Sequence, residues 1–160
     1  MGQQQLLLLV LGVVIVGLAV VAGLGAFSVN HTKANADALV SDALRIASDV
    51  QAWALKPGLA GGRRDSQSVA DATFDALGYP DNDGTYSSVN GDFTLSKKKK
   101  KACAPATIPS GKAAVIYVNA NNPETGTSVC VAIAGTSAGD IGTSIAPSKK
   151  KPKGKGKGKK

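Results

Sequence analysis

Aromatic residues are scarce in this chain of 160: three Phe, three Tyr and one Trp. So few rings make neither an aromatic-lined substrate pocket nor a stacking platform for bases. Without a haem motif they offer no path for electrons either. Histidine is rarer still. His31 is the only one, with no cysteine beside it and no serine placed to act with it. Two cysteines and one distant histidine lack the ligand spacing of a zinc site. Asp81 and Asp83, in Asp-Asn-Asp-Gly, have no downstream Glu at EF-hand spacing and read as turn residues. Gly61-Gly62-Arg63-Arg64 follows no strand and leads to no Gly-Lys-Ser/Thr, so it is no phosphate loop. The expectation is a protein without catalytic residues, cofactor or metal.

Two further absences shape the N-terminal part. No charged side chain precedes Lys33, and no proline precedes Pro57. Leu6 to Phe27 (LLLLVLGVVIVGLAVVAGLGAF) is a run of about 22 uncharged, mostly apolar residues. As a helix it would span roughly 33 Å, enough to cross a bilayer core. A secretory signal has a basic n-region and a shorter apolar core. The run has neither feature, so it is read as part of the working protein.

The formal charge of +8 is local. The last twelve residues hold eight lysines (Lys149, Lys150, Lys151, Lys153, Lys155, Lys157, Lys159, Lys160) and no acid. Without them, eleven basic residues face eleven acids. A second cluster, Lys97, Lys98, Lys99, Lys100 and Lys101, must be solvated and is expected on an exposed loop or strand edge. Cys103 and Cys130 are either one disulfide or two buried thiols. An even count behind a membrane-type N-terminus favours the bridge, worth about 3 kcal/mol by chain entropy.

From Ser28 to Leu55, apolar residues at Val29, Ala36, Leu39, Val40, Ala43, Leu44, Ile46, Ala47, Val50, Trp53 and Ala54 fall at steps of three and four. That is one helical face. Lys33, Asn35, Asp37, Asp42, Arg45, Asp49 and Gln51 occupy the other. Pro57-Gly58 ends the pattern. The spacing predicts one helix over residues 1–56, apolar in 1–27 and amphipathic in 28–56, about 75 Å long. Gly12, Gly17, Gly23 and Gly25 lower helicity in water but permit close packing.

Residues 57–84 read as a connector with one short helix, contributing Val69, Phe74 and Leu77 to a core. Residues 85–146 read as an antiparallel head of four strands. Its first hairpin turns at Asn90-Gly91 in type I′ geometry, between strands carrying Tyr86, Val89, Phe93 and Leu95. Its second pairs Ala113–Asn119 with Thr127–Ala134 across the turn residues 121–126. Val129, Val131 and Ile133 face one side and Cys130 the other. After Ala134 only Ile141 and Ile145 offer further core contacts, and residues 147–160 are expected to be a disordered Lys/Gly tail. The predicted class is α+β, with the long helix laid on the small sheet.

A long N-terminal helix with an apolar first half, a small antiparallel sheet and a late cysteine pair resembles the type IV pilins and pilin-like filament subunits. The opening MGQQQLLLLVLGVVIVGLAVVAG is similar to bacterial pilin-like sequences. That family usually carries Glu at the fifth mature position. Here Gln5 stands there if Met1 is the first mature residue; a cut after Gly2 would place Leu7 there instead. The resemblance implies a precursor in the inner membrane, then an extracellular filament of identical subunits built by pilus assembly machinery. It also implies a filament core formed by Gln5, Leu6, Leu9, Gly12, Val13, Val16, Gly17, Val20, Gly23 and Phe27. The lysine clusters are candidates for contact with DNA or other anionic polymers. Two other readings fit the same residues: a monomeric single-pass anchor bearing a surface or periplasmic domain, and a minor pseudopilin of a secretion or DNA-uptake machine.

Overall fold

The computed structural model describes residues 2–64, 67–80, 82–100, 103 and 106–146. Helix α1 spans Gly2–Leu55. The chain divides into two units, Met1–Ala34 and Asn35–Lys160. In the first, every described residue is helical and exposed. The second contains the rest of α1 and a five-stranded antiparallel sheet in chain order: β1 (Thr85–Ser88), β2 (Gly91–Ser96), β3 (Ile116–Asn121), β4 (Ser128–Ile133) and β5 (Ile141–Ala146). This is the α+β arrangement expected, with one strand more.

The amphipathic half of α1 buries Leu39, Ala43, Ile46, Ala47, Val50, Trp53 and Ala54. They meet the inward residues of the sheet, Phe93, Ile116, Val118, Ala120, Val129, Val131 and Ile133, in one core that also takes Ala72 and Phe74. Val69, Leu77, Tyr79, Tyr86 and Leu95 pack at its margin. Tyr79 and Tyr86 bring their ring centroids to 4.8 Å, closing the β1 side of the core. Leu44 stays partly exposed, because the buried stripe is narrower than the apolar pattern.

Three expectations need correction. The first hairpin turns one residue early: Ser88 pairs with Gly91, so Val89 and Asn90 form the turn. Neither has a positive φ, which rules out type I′. Gly91 serves a different purpose. A Cβ there would lie 2.7 Å from the Asn121 carbonyl oxygen and 2.9 Å from Leu39 Cδ2, so only glycine lets β2, β3 and α1 meet. The second hairpin starts later than read, at Ile116, leaving Ala113–Val115 outside the strand.

The third correction is β5 itself, paired with β4 from Ser128↔Ala146 to Ile133↔Ile141. Its buried positions are Gly142 and Ser144, not its isoleucines. They face away from α1, on the side of Cys130 and Ala132. There the segment between β2 and β3 crosses the sheet as a strap, forming a second apolar cluster with Cys103, Ile108, Tyr117, Cys130 and Ala132. A Cβ on Gly142 would sit 2.3 Å from the Thr107 carbonyl oxygen. The sheet therefore carries α1 on one face and the strap on the other.

Candidate functional site

The residues implied as a filament core lie on the uncovered half of α1. Leu6 is 66% exposed and Phe27 72%, and Leu9, Val13, Val16 and Val20 are exposed likewise. An 18-residue window of this helix reaches a mean hydropathy of 3.0 with none of it buried, long and apolar enough to cross a membrane. At 100° per residue, Leu6, Leu9, Val13, Val16, Val20 and Phe27 lie along one side. Leu7, Leu8, Leu11, Val14, Leu18 and Val21, on other sides, are exposed too. A helix apolar all round fits a membrane span or the core of an assembly. Gln5 is exposed, and nothing lies within 4 Å of a Cβ placed on Gly12, Gly17 or Gly23.

From Asn35 onward the polar side of α1 is not simply solvated. It clasps the head at four levels. Thr125 Oγ1, in the β3–β4 turn, donates to Asn35 Oδ1 at 3.1 Å. Asp42 Oδ2 accepts from Asn90 Nδ2 at 2.8 Å and Ser88 Oγ at 3.3 Å, holding the β1–β2 turn. Asp49 accepts from the Tyr79 hydroxyl. Gln51 Nε2 donates to the carbonyls of Gly135 and Ser137 at 2.8 and 3.0 Å, beyond β4. Burial first, and the Asp49 carboxylate next, push the Tyr79 phenol up to about 12. The Arg45 guanidinium stands 5.7 Å from the centre of the Tyr79 ring.

The described residues of the strap are fixed at several points. Cys103 and Cys130 form a disulfide, both fully buried, with 5.2 Å between their Cα atoms. The Asn119 carboxamide oxygen lies 3.2 Å from Cys103 Sγ, a packing contact, since a disulfide sulfur has no proton to donate. Ser110 N–H donates to the Gly139 carbonyl at 3.0 Å, and Val115 N–H to Ile133 at 2.8 Å. Lys112 Nζ lies 3.1 Å from Oδ1 of buried Asp140 and donates to Oδ2 at 3.2 Å. Hydrogen bonds from Ser110 and then Lys112 hold that carboxyl below the usual carboxylate range, outweighing its desolvation. This crosslinking of the strap to β4 and to the turn before β5 carried no sequence signal beyond the cysteines. Asp140 and Lys112 are 28 residues apart in a small-residue stretch.

The first lysine cluster begins the strap. Lys97 to Lys100 are exposed, and Lys97 pairs with Asp71 at 2.6 Å. Lys100 Nζ donates to Thr94 Oγ1 at 3.1 Å. Lys101 and the tail lysines Lys149 to Lys160 lie outside the described residues, as does Asp81. Among the described residues no group of three or more His, Cys, Asp or Glu could hold a metal ion. His31 is exposed on the uncovered half of α1.

These features define an α+β protein with a disulfide-bonded head in one unit and an exposed apolar helix in the other. Comparison with protein-family models, curated proteins and solved structures found no match to this chain.

Proposed function

We propose that the chain is the structural subunit of a type IV pilus-like extracellular filament, held in the inner membrane before assembly. The observation that carries this reading is the unbroken course of α1. Its Gly2–Ala34 half is apolar on every side and unburied, while the same helix continues as the spine of a folded head. A membrane anchor requires no such continuity. A filament subunit does, because its helix must leave lipid and pack against copies of itself.

Lipid and neighbouring helices are equivalent solvents for such a surface. Burying most of it at about 25 cal/mol per Å² supplies on the order of tens of kcal/mol per subunit before the costs of association. Gln5 brings an amide where the resembling family has a carboxylate. That avoids desolvating a charge and gives up the register a buried charge pair could supply. Packing of one helical surface on a different one of the next copy extends without closure, giving an open helical polymer. The eight tail lysines, repeated along such a polymer, suit multivalent, salt-sensitive contact with anionic polymers such as DNA.

Electron microscopy of material sheared from expressing cells tests this reading. Fibres containing this chain are expected. Dispersed, detergent-soluble monomer as the only form would leave a single-pass anchor instead. For the tail, a chain lacking residues 149–160 should form fibres whose DNA binding is weaker and less dependent on salt.

A further inference from the structure

The charges of the head are sorted along the chain. Residues 65–92 carry six acids (Asp65, Asp71, Asp75, Asp81, Asp83, Asp92) and no base. Residues 97–115 carry six lysines, Lys97 to Lys101 and Lys112, and no acid. Asp65, Asp81 and Lys101 lie outside the described residues.

The fold carries the described members of these two blocks on different segments. Three of the described acids lie by β1, an edge strand of the sheet. Asp83 leads into it, Asp92 lies on its partner β2, and Asp75 belongs to the segment whose Phe74 and Tyr79 stack on Tyr86. Lys97 to Lys100 begin the strap, and Lys100 reaches back to Thr94 on β2. Among the described residues a single ion pair, Lys97 with Asp71, joins the two blocks. Lys112 is engaged by Asp140, which belongs to neither. Lys98, Lys99 and Lys100 are exposed without a carboxylate partner, and Asp75 and Asp83 are exposed without a cation among the described residues.

The lysine array is also tethered. Five consecutive like charges repel one another and favour leaving a surface. Here Lys97 is held by Asp71 at one end. Two residues past Lys101, Cys103 is bonded to Cys130 under the strap. Its described part is thus held to the head, Lys97 by Asp71 and Lys100 by Thr94.

We infer that the lysine strap of one head docks on the acidic β1 side of a neighbouring head, the partner being a second copy of this chain. The inference rests on the filament reading above. Charge complementarity selects this partner. A polyanion would engage the lysines alone, whereas a second copy presents a block of each sign, so that the exposed lysines and the exposed acids both find partners. The two patches differ, so the contact runs head to tail and is compatible with an open polymer. Exposed ion pairs are individually weak and screened by salt. Assembly through α1 holds the heads at high effective concentration, where weak pairs suffice to choose between registers. An uncharged helix core, with Gln5 in place of a carboxylate, leaves that choice to the heads.

Charge exchange in full-length filaments tests it. Lys98→Glu with Lys99→Glu, or Asp75→Lys with Asp92→Lys, should each lower filament yield about tenfold near physiological salt. All four changes together should restore it to within about twofold of the parent. Disulfide formation and protease resistance of each variant establish that the head is folded. The inference is overturned if folded one-sided variants assemble like the parent, or if the combined variant does no better than its worse component. Loss of DNA binding with assembly intact would overturn it too, assigning the strap to a polyanion. A parent chain that never polymerises overturns the filament reading and this contact with it.

Discussion

The two halves of α1 share a backbone conformation and differ in where their stability comes from. From Asn35 to Ala54 the helix is held by its own chain: seven buried residues on one side, and on the other hydrogen bonds accepted by Asn35, Asp42 and Asp49 and donated by Gln51. Before Ala34 every described residue is exposed. An exposed helix of that hydropathy is long and apolar enough to cross a membrane. Substitutions should therefore separate cleanly. Those in the second half act on folding, and those in the first act on what the folded chain joins.

The largest effect that tests this division belongs to the head. Phe93 is fully buried on β2, facing α1, with Tyr86 at a centroid distance of 5.9 Å. Phe93→Ala should cost about 3–5 kcal/mol of head stability, read by denaturant unfolding of the detergent-solubilised full chain. Membrane fractionation of the folded fraction should be unchanged. If the loss stays under about 1 kcal/mol, the core drawn between α1 and the sheet is wrong.

The complementary change is Val16→Asp, 63% exposed at the middle of the apolar run. A carboxylate there costs about 2.5–3.5 kcal/mol at the centre of a membrane span. Membrane association and filament recovery should both fall sharply, while the unfolding midpoint of the head stays where it was. A drop in head stability would mean that the two units are coupled and would break the comparison.

How far the sequence led depended on what kind of signal each element carried. The helical face and strands β3 and β4 were legible because apolar spacing is direct evidence of burial. The lysine run was legible because repelling charges must be solvated, and Lys97 to Lys100 are exposed. Strand β5 was missed because its buried positions are Gly142 and Ser144, chosen for closeness to the strap rather than for apolar area. The β1–β2 turn was displaced because Asn-Gly reads as turn chemistry, whereas Gly91 is there for the approach of Asn121 and Leu39. Polar spacing on α1 separated Asp42, Asp49 and Gln51 from the core, yet it could not distinguish side chains facing water from those clasping loops. The apolar run declared that it needs a partner. Which partner is a property of two molecules, and one chain's spacing does not contain it.

The smallest expected effect concerns the strap, and its sign follows from Asp140. The carboxyl is held below its ordinary range by Ser110 and Lys112, so the folded chain prefers the ionised form more strongly than the unfolded chain does. Above about pH 4, the unfolded value for Asp, both states are ionised and the stabilisation is fully present. As pH falls further, the unfolded chain takes up its proton first, and the stabilisation is lost progressively through the folded value. Asp140→Asn removes the charge and with it this dependence. The difference in urea midpoint between parent and variant should be largest near neutral pH and shrink below about pH 4. Asp71, lowered by its hydrogen bond from Lys97, titrates in the same acidic window and cancels in that difference. A difference that stays constant from neutral to acid pH would show that Asp140 holds the strap by packing and neutral hydrogen bonds, leaving the disulfide as its main restraint.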